Sequence, residues 1–123
     1  MRLLFRAWFT LFVYDALSTF CRFETIYSMV KSWSVSSASS GPDTINRVCM
    51  AVNYACIWYP KQALCLQRSF VTTYLLRKRG VAAHMVLGAQ KLPFKAHAWV
   101  EVEGQAINER SNVQAIYAIW DRC

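Results

Sequence analysis

VAAHMVLGAQKLPFKAHAWVEVEGQAINE, residues 81–109, decides the fold class. VAAHMVLGA (81–89) is a short apolar run bounded by Gly80 and by a lysine-bearing turn, KLPFK (91–95), and so reads as a buried strand. HAWVEVE (97–103) alternates strictly: Ala98, Val100 and Val102 face one way, and His97, Trp99, Glu101 and Glu103 the other. His97 opens this strand. Glu103-Gly104 suits a two-residue hairpin turn, after which QAINE (105–109) returns as the partner strand.

Upstream the texture is helical. Residues 2–18 and 20–33 read as one long helix or two consecutive ones, with Phe23, Ile26, Tyr27, Val30 and Trp33 at the spacing of a buried stripe. The Ser-rich stretch SVSSASSGPD (34–43) is a loop. Asp43 or Thr44 caps a helix running to about Tyr59, ahead of Pro60. A further helix over 62–79 ends in Arg77-Lys78-Arg79, basic residues that suit the negative end of a helix dipole, with Gly80 as its stop. The tail from Ser111 to Trp120 reads as a short helix. Helices first and an antiparallel meander second make the chain α+β, N-terminal helices followed by a small antiparallel sheet. Its 123 residues suffice for one domain, with a helical part over 1–59 and a core over 60–123.

Composition narrows the function classes. Hydrophobic residues make up 55% against 17% charged, which excludes intrinsic disorder. Five cysteines, an odd number without a CxxC pair, fit neither a zinc site nor a disulfide framework, and point to a reducing, cytoplasmic setting. The net charge of +7 suits an acidic peptide, an anionic surface or nucleic acid, but no nucleic-acid motif accompanies it. In MRLLFRAWFTLFVYDALSTF (1–20), Arg6 interrupts the apolar run, Asp15 ends it and no clean cleavage site follows, which argues against a signal peptide. The unbroken apolar stretch from Ala7 to Tyr14 is well short of the ~20 residues a membrane span needs. At helical period Arg2, Arg6, Thr10 and Tyr14 form one narrow stripe and the remainder is apolar. The expectation is a helix that docks on the core or on a partner, with a weak membrane-surface contact through residues 2–20 as the second reading.

The chemistry gathers on one cysteine, one histidine and one acid or amide. Cys65 falls near the start of the 62–79 helix, where unpaired N–H groups and the positive dipole end stabilise a thiolate. His97 lies on a strand whose neighbour ends in Asn108-Glu109, either of which could fix the imidazole tautomer. Helix-borne cysteine, strand-borne histidine, then an acid or amide one strand later is the order of papain-like and transglutaminase-like folds. The competing His84 sits among apolar neighbours in mid-strand and reads as a structural histidine.

CLQRSFVTTYLLRKRG (65–80) followed by FKAHAWVEVEGQAINE (94–109) resembles the lasso-peptide leader peptidases, a family of transglutaminase-like fold. The resemblance covers residues 60–109. It implies Cys65 as nucleophile, His97 as general base and Glu109 as the third member. A strict two-residue turn at Glu103-Gly104 would instead put Asn108 on the histidine's face and turn Glu109 away, and a bulge would restore Glu109. Arg68 belongs to the motif, with a structural salt bridge as its expected role ahead of direct substrate contact, and Trp99 is a substrate or structural residue. The oxyanion hole would use the Cys65 backbone N–H, with Gln62 a candidate second donor.

The resemblance implies a cysteine peptidase that removes the leader from a ribosomally made lasso-peptide precursor, without metal or organic cofactor. The family occurs fused to a leader-recognition domain or split over two chains. Residues 1–59, all helical in pattern, fit the split catalytic half, whose partners would be the precursor leader peptide, a separate leader-recognition protein and the lasso cyclase. The rivals are a transglutaminase-like acyltransferase and a catalytically idle partner-binding subunit.

Overall fold

The computed structural model describes residues 2–33, 42–60, 65–91, 94–107 and 117–123. Four helices, α1 (Arg2–Phe20), α2 (Phe23–Ser32), α3 (Pro42–Ile57) and α4 (Cys65–Lys78), precede four strands: β1 (Ala83–Lys91), β2 (Phe94–Val102), β3 (Gln105–Ile107) and β4 (Ala118–Arg122). The strands form one antiparallel sheet in the order β3-β2-β1-β4. This is the α+β arrangement expected from the sequence.

Residues 2–33 form two helices where one long helix was the alternative. Ser18 and Thr19 both turn their hydroxyls back onto the Asp15 carbonyl, at 2.9 Å each. Such bonds compete with the helix ladder, and at Arg22 the backbone is extended (φ −73°, ψ 154°), which separates α1 from α2. α3 starts at Pro42 rather than behind an Asp43 or Thr44 cap: proline suits the first helical position, and Asp43 falls in the first turn, where its charge favours the dipole.

The narrow polar stripe of α1 does not face solvent along its length. Ala7, Thr10, Leu11 and Tyr14 are buried, and the Thr10 hydroxyl bonds the Arg6 carbonyl at 2.6 Å. Leu11 anchors the helix twice over, because its carbonyl accepts the Gln67 amide of α4 at 2.9 Å and the Tyr59 hydroxyl at 3.3 Å. Satisfying Thr10 locally is what lets the polar side turn inward while Phe5, Phe9, Phe12 and Phe20 stay exposed. The core joins these residues to Val48 and Val52 of α3, Val71, Leu75 and Leu76 of α4, and Met85 and Val100 of the sheet.

The strands are longer and shifted relative to the sequence reading. β1 starts at Ala83 and β2 at Phe94, with Lys91 opposite Phe94, so His97 sits inside β2 rather than opening it. The hairpin to β3 is the two-residue turn anticipated: Val102 pairs with Gln105, and Glu103 (φ 53°) and Gly104 (φ 77°) both occupy the left-handed region that such turns demand. The tail departs from expectation. Residues 118–122 form β4 on the free edge of β1, not the end of a helix, and residues 111–116 lie outside the described residues. Ile119 and Trp120 favour strands, and edge pairing satisfies backbone groups that β1 would otherwise leave open.

The basic run after α4 does more than complement the dipole. The buried Arg77 guanidinium donates to the Ala83 carbonyl at 2.9 Å, to the Val30 carbonyl at 2.6 Å and to the Cys123 backbone oxygen. One side chain thereby ties the end of α2, the start of β1 and the segment after β4 to α4. All five cysteines are free thiols.

Candidate active site

Cys65 is the first described residue of α4. α4 packs on the sheet face carrying Met85 and Val100, and its N-terminal end meets β2 at a small cleft of about 40 Å³. Cys65, Arg68, Ser69 and Thr72 supply the helical wall, and His97 and its β2 neighbours the other. The helical wall follows from spacing alone, since three- and four-residue steps return to one helix face. Cys65 and His97, which the resemblance implies as nucleophile and base, thus both line the cleft.

His97 approaches from the other side of the sheet. Strand alternation places it with Trp99 and Glu101, whereas Ala98 and Val100 turn toward α4. Its ring stacks on Trp99 (centroids 5.9 Å, planes 28° apart) and against Tyr117 (5.2 Å, 30°). Trp99 is fully buried, with its indole N–H donating to Glu101 Oε2 at 3.0 Å, while Glu101 Oε1 takes Arg122 Nε at 3.0 Å. Between the two roles anticipated for Trp99, this geometry supports the structural one: the indole is locked in place and forms a platform for the imidazole. Gly88 makes room for that platform, since a Cβ there would stand 2.7 Å from the Trp99 ring.

Arg68 departs from the expected salt bridge. Its Nη2 donates to Asn53 Oδ1 of α3 at 2.8 Å, its Nε is buried without an acceptor, and among the described residues no carboxylate pairs with it. Arg68 therefore fastens α3 to α4 beside the cleft. Burial raises the thiols of Cys49 and Cys56 on α3 above their ordinary range, and the Arg68 charge only partly offsets this. The Tyr14 phenol is raised by burial first, then by Asp15 and Cys65, which puts Tyr14 within electrostatic reach of the cleft cysteine.

Glu109, Asn108 and Gln62 lie outside the described residues. His84 pairs in register with Glu101 and does not line the cleft. The sequence reading missed Tyr117 and Gly88. A lone glycine inside an apolar strand run marks a close approach and could have flagged Gly88. Tyr117 carried no local signal, because β4 brings it beside His97 from elsewhere in the chain.

A family model described as the transglutaminase-like superfamily matches residues 11–121. The chain is 42% identical over 50 residues to the Microcin J25-processing protein McjB of Escherichia coli, a match covering 41% of this chain and 24% of that protein. The chain thus spans about a quarter of the length of the relative it matches. No solved structure matches.

Proposed function

The chain belongs to the transglutaminase-like superfamily, and on that premise we propose that it is a cysteine peptidase that removes the leader peptide from a lasso-peptide precursor. The observation that carries this reading is the shared cleft, which Cys65 on α4 and His97 on β2 both line. The motifs around both residues and the likeness to a microcin-processing protein support the substrate class.

The Cys65 thiolate attacks the scissile carbonyl, forming the S–C bond, and the oxyanion is met by the Cys65 backbone N–H, with Gln62 proposed as a second donor. The His97 imidazolium protonates the leaving amine as the C–N bond breaks. His97 then takes a proton from water as it attacks the acyl-enzyme, and the thiolate departs. Trp99 and Tyr117 hold the imidazole plane through these steps, and Glu109 is the proposed tautomer-fixing partner, with Asn108 the alternative. Transglutaminase-like acyl transfer would share every step but the last acceptor. A separate leader-recognition protein would raise the local leader concentration at Cys65, and the cyclase would consume the freed core peptide.

Mass spectrometry of precursor incubated with the chain and the recognition protein tests the reading. Cys65→Ala and His97→Ala are each expected to abolish cleavage with the circular dichroism spectrum unchanged. Leader removal by purified Cys65→Ala would overturn it. Limited alkylation near neutral pH is expected to modify Cys65 ahead of Cys49 and Cys56, whose burial disfavours thiolate.

A further inference from the structure

Helix α1 presents an exposed apolar face that the core does not use. Phe5 (65% exposed), Phe9 (59%), Phe12, Val13 and Phe20 (87%) fall within about one 100° sector at helical period. Beside α1, helix α3 exposes Met50, Tyr54 and Ile57, and Trp58 follows at its end. Trp8 Nε1 donates to the Trp58 carbonyl at 3.2 Å, so the two helices present one surface. An apolar groove lined by Leu4, Phe5, Trp8, Ala55 and Trp58 lies between them.

The charge lining the recesses beside this surface is basic. One recess beside the first turns of α1 is lined by Arg2, Arg47 and Arg79, and a second by Arg6, Lys78 and Arg79. No carboxylate lines either recess among the described residues. Exposed phenylalanines beside cationic recesses, with Tyr54 and Trp58 nearby, match a bilayer surface in cross-section: hydrocarbon below, phosphates around, amphipathic aromatics at the boundary. A protein partner would have to combine an apolar hollow with acidic walls beside it, whereas an anionic bilayer has that layering everywhere.

We propose that the α1–α3 surface seats the protein on an anionic phospholipid surface, with Phe5 and Phe9 in the acyl boundary and Arg2, Arg6 and Arg47 at the phosphates. Among the described residues α1 is the one helix long and apolar enough to cross a membrane by length and composition. Spanning would pull Leu11 and Tyr14 out of the core and break the bonds from Gln67 and Tyr59 to the Leu11 carbonyl. The helix therefore lies on the surface while its other side remains in the core. This inference is independent of the peptidase chemistry.

Vesicle flotation of the full chain, first shown monodisperse by size-exclusion chromatography, tests it. The chain is expected to float with phosphatidylcholine vesicles containing about one-third phosphatidylglycerol and to bind pure phosphatidylcholine at least about tenfold more weakly. The double variant Phe5→Ser/Phe9→Ser is expected to stay at the bottom of the gradient with an unchanged circular dichroism spectrum. Arg2→Gln and Arg47→Gln are each expected to weaken binding about fivefold at low salt. A monodisperse chain that never floats overturns the proposal and leaves an acidic protein as the occupant. Equal binding to both vesicle types, or flotation of the Phe5/Phe9 variant like the parent, overturns it as well.

Discussion

Gly88 on β1 stands directly opposite His97 on β2, and the six-membered ring of Trp99 fills the space that a Gly88 side chain would occupy, its Cη2 2.7 Å from the Cβ position. The platform under the imidazole thus depends on a missing methyl group one strand away.

Gly88→Ala is accordingly expected to push the indole off β1 and tilt the His97 ring. Strain of this kind costs about 1–3 kcal/mol, and a catalytic base displaced by about 1 Å loses on the order of 10² in rate. Urea denaturation and kcat/KM for leader cleavage would read the two effects. A variant with unaltered kcat/KM would show that the platform does not position His97.

The orienting residue is the next test. The turn at Glu103-Gly104 keeps strict two-residue register as far as Val100 opposite Ile107. Carried on unbroken, this register sets Asn108 opposite Trp99 and Glu109 opposite Ala98, so Glu109 reaches the histidine's face only through a bulge after Ile107. Glu109→Ala is expected to lose roughly 10²–10⁴-fold in kcat, as orienters in other triads do, and Asn108→Ala little. The reverse ranking would show that the register continues and that Asn108 holds the imidazole.

Arg77 should matter more to stability than any exposed basic residue. Arg77→Met would leave the carbonyls of Val30, Ala83 and Cys123 without their charged donor. Bonds to charged groups are worth about 1.5–3 kcal/mol each and are not additive, so a loss of at least about 3 kcal/mol is expected in urea denaturation. Arg77→Lys should recover only part of it, since an ammonium lacks the planar fork that reaches three acceptors. An unchanged midpoint for Arg77→Met would sink the clamp.

Alkaline pH should destabilise the fold through Cys49 and Cys56. Their thiols titrate higher in the folded state than in the unfolded chain because burial penalises the thiolate. The folded state then binds more protons over that interval. The stability is fully present below the unfolded thiol pKa of about 8.5 and is lost as pH rises through the higher folded values. Chemical denaturation at stepped pH should show the decline, and Cys49→Ala should make it shallower. A slope indifferent to that substitution would assign the decline elsewhere.

What the sequence determined by itself was whatever rests on local signals. Strict alternation in HAWVEVE made β2, Glu103-Gly104 fixed the hairpin, and apolar periodicity with Gly and Pro punctuation located the helices before the sheet to within a few residues, without deciding whether 2–33 is one helix or two. Cys65 could be placed near a helix start and His97 on a strand from those patterns, and the motifs around them carried the family. Only the tertiary structure decided which face of α1 turns inward, that 118–122 closes the sheet as β4, that Arg77 gathers three carbonyls, and that Trp99, Tyr117 and Gly88 frame the histidine. Each of these depends on a partner distant along the chain. A strand edge left open by β1, or a carbonyl on α2, enters no local propensity, because its energy exists only once the two segments meet.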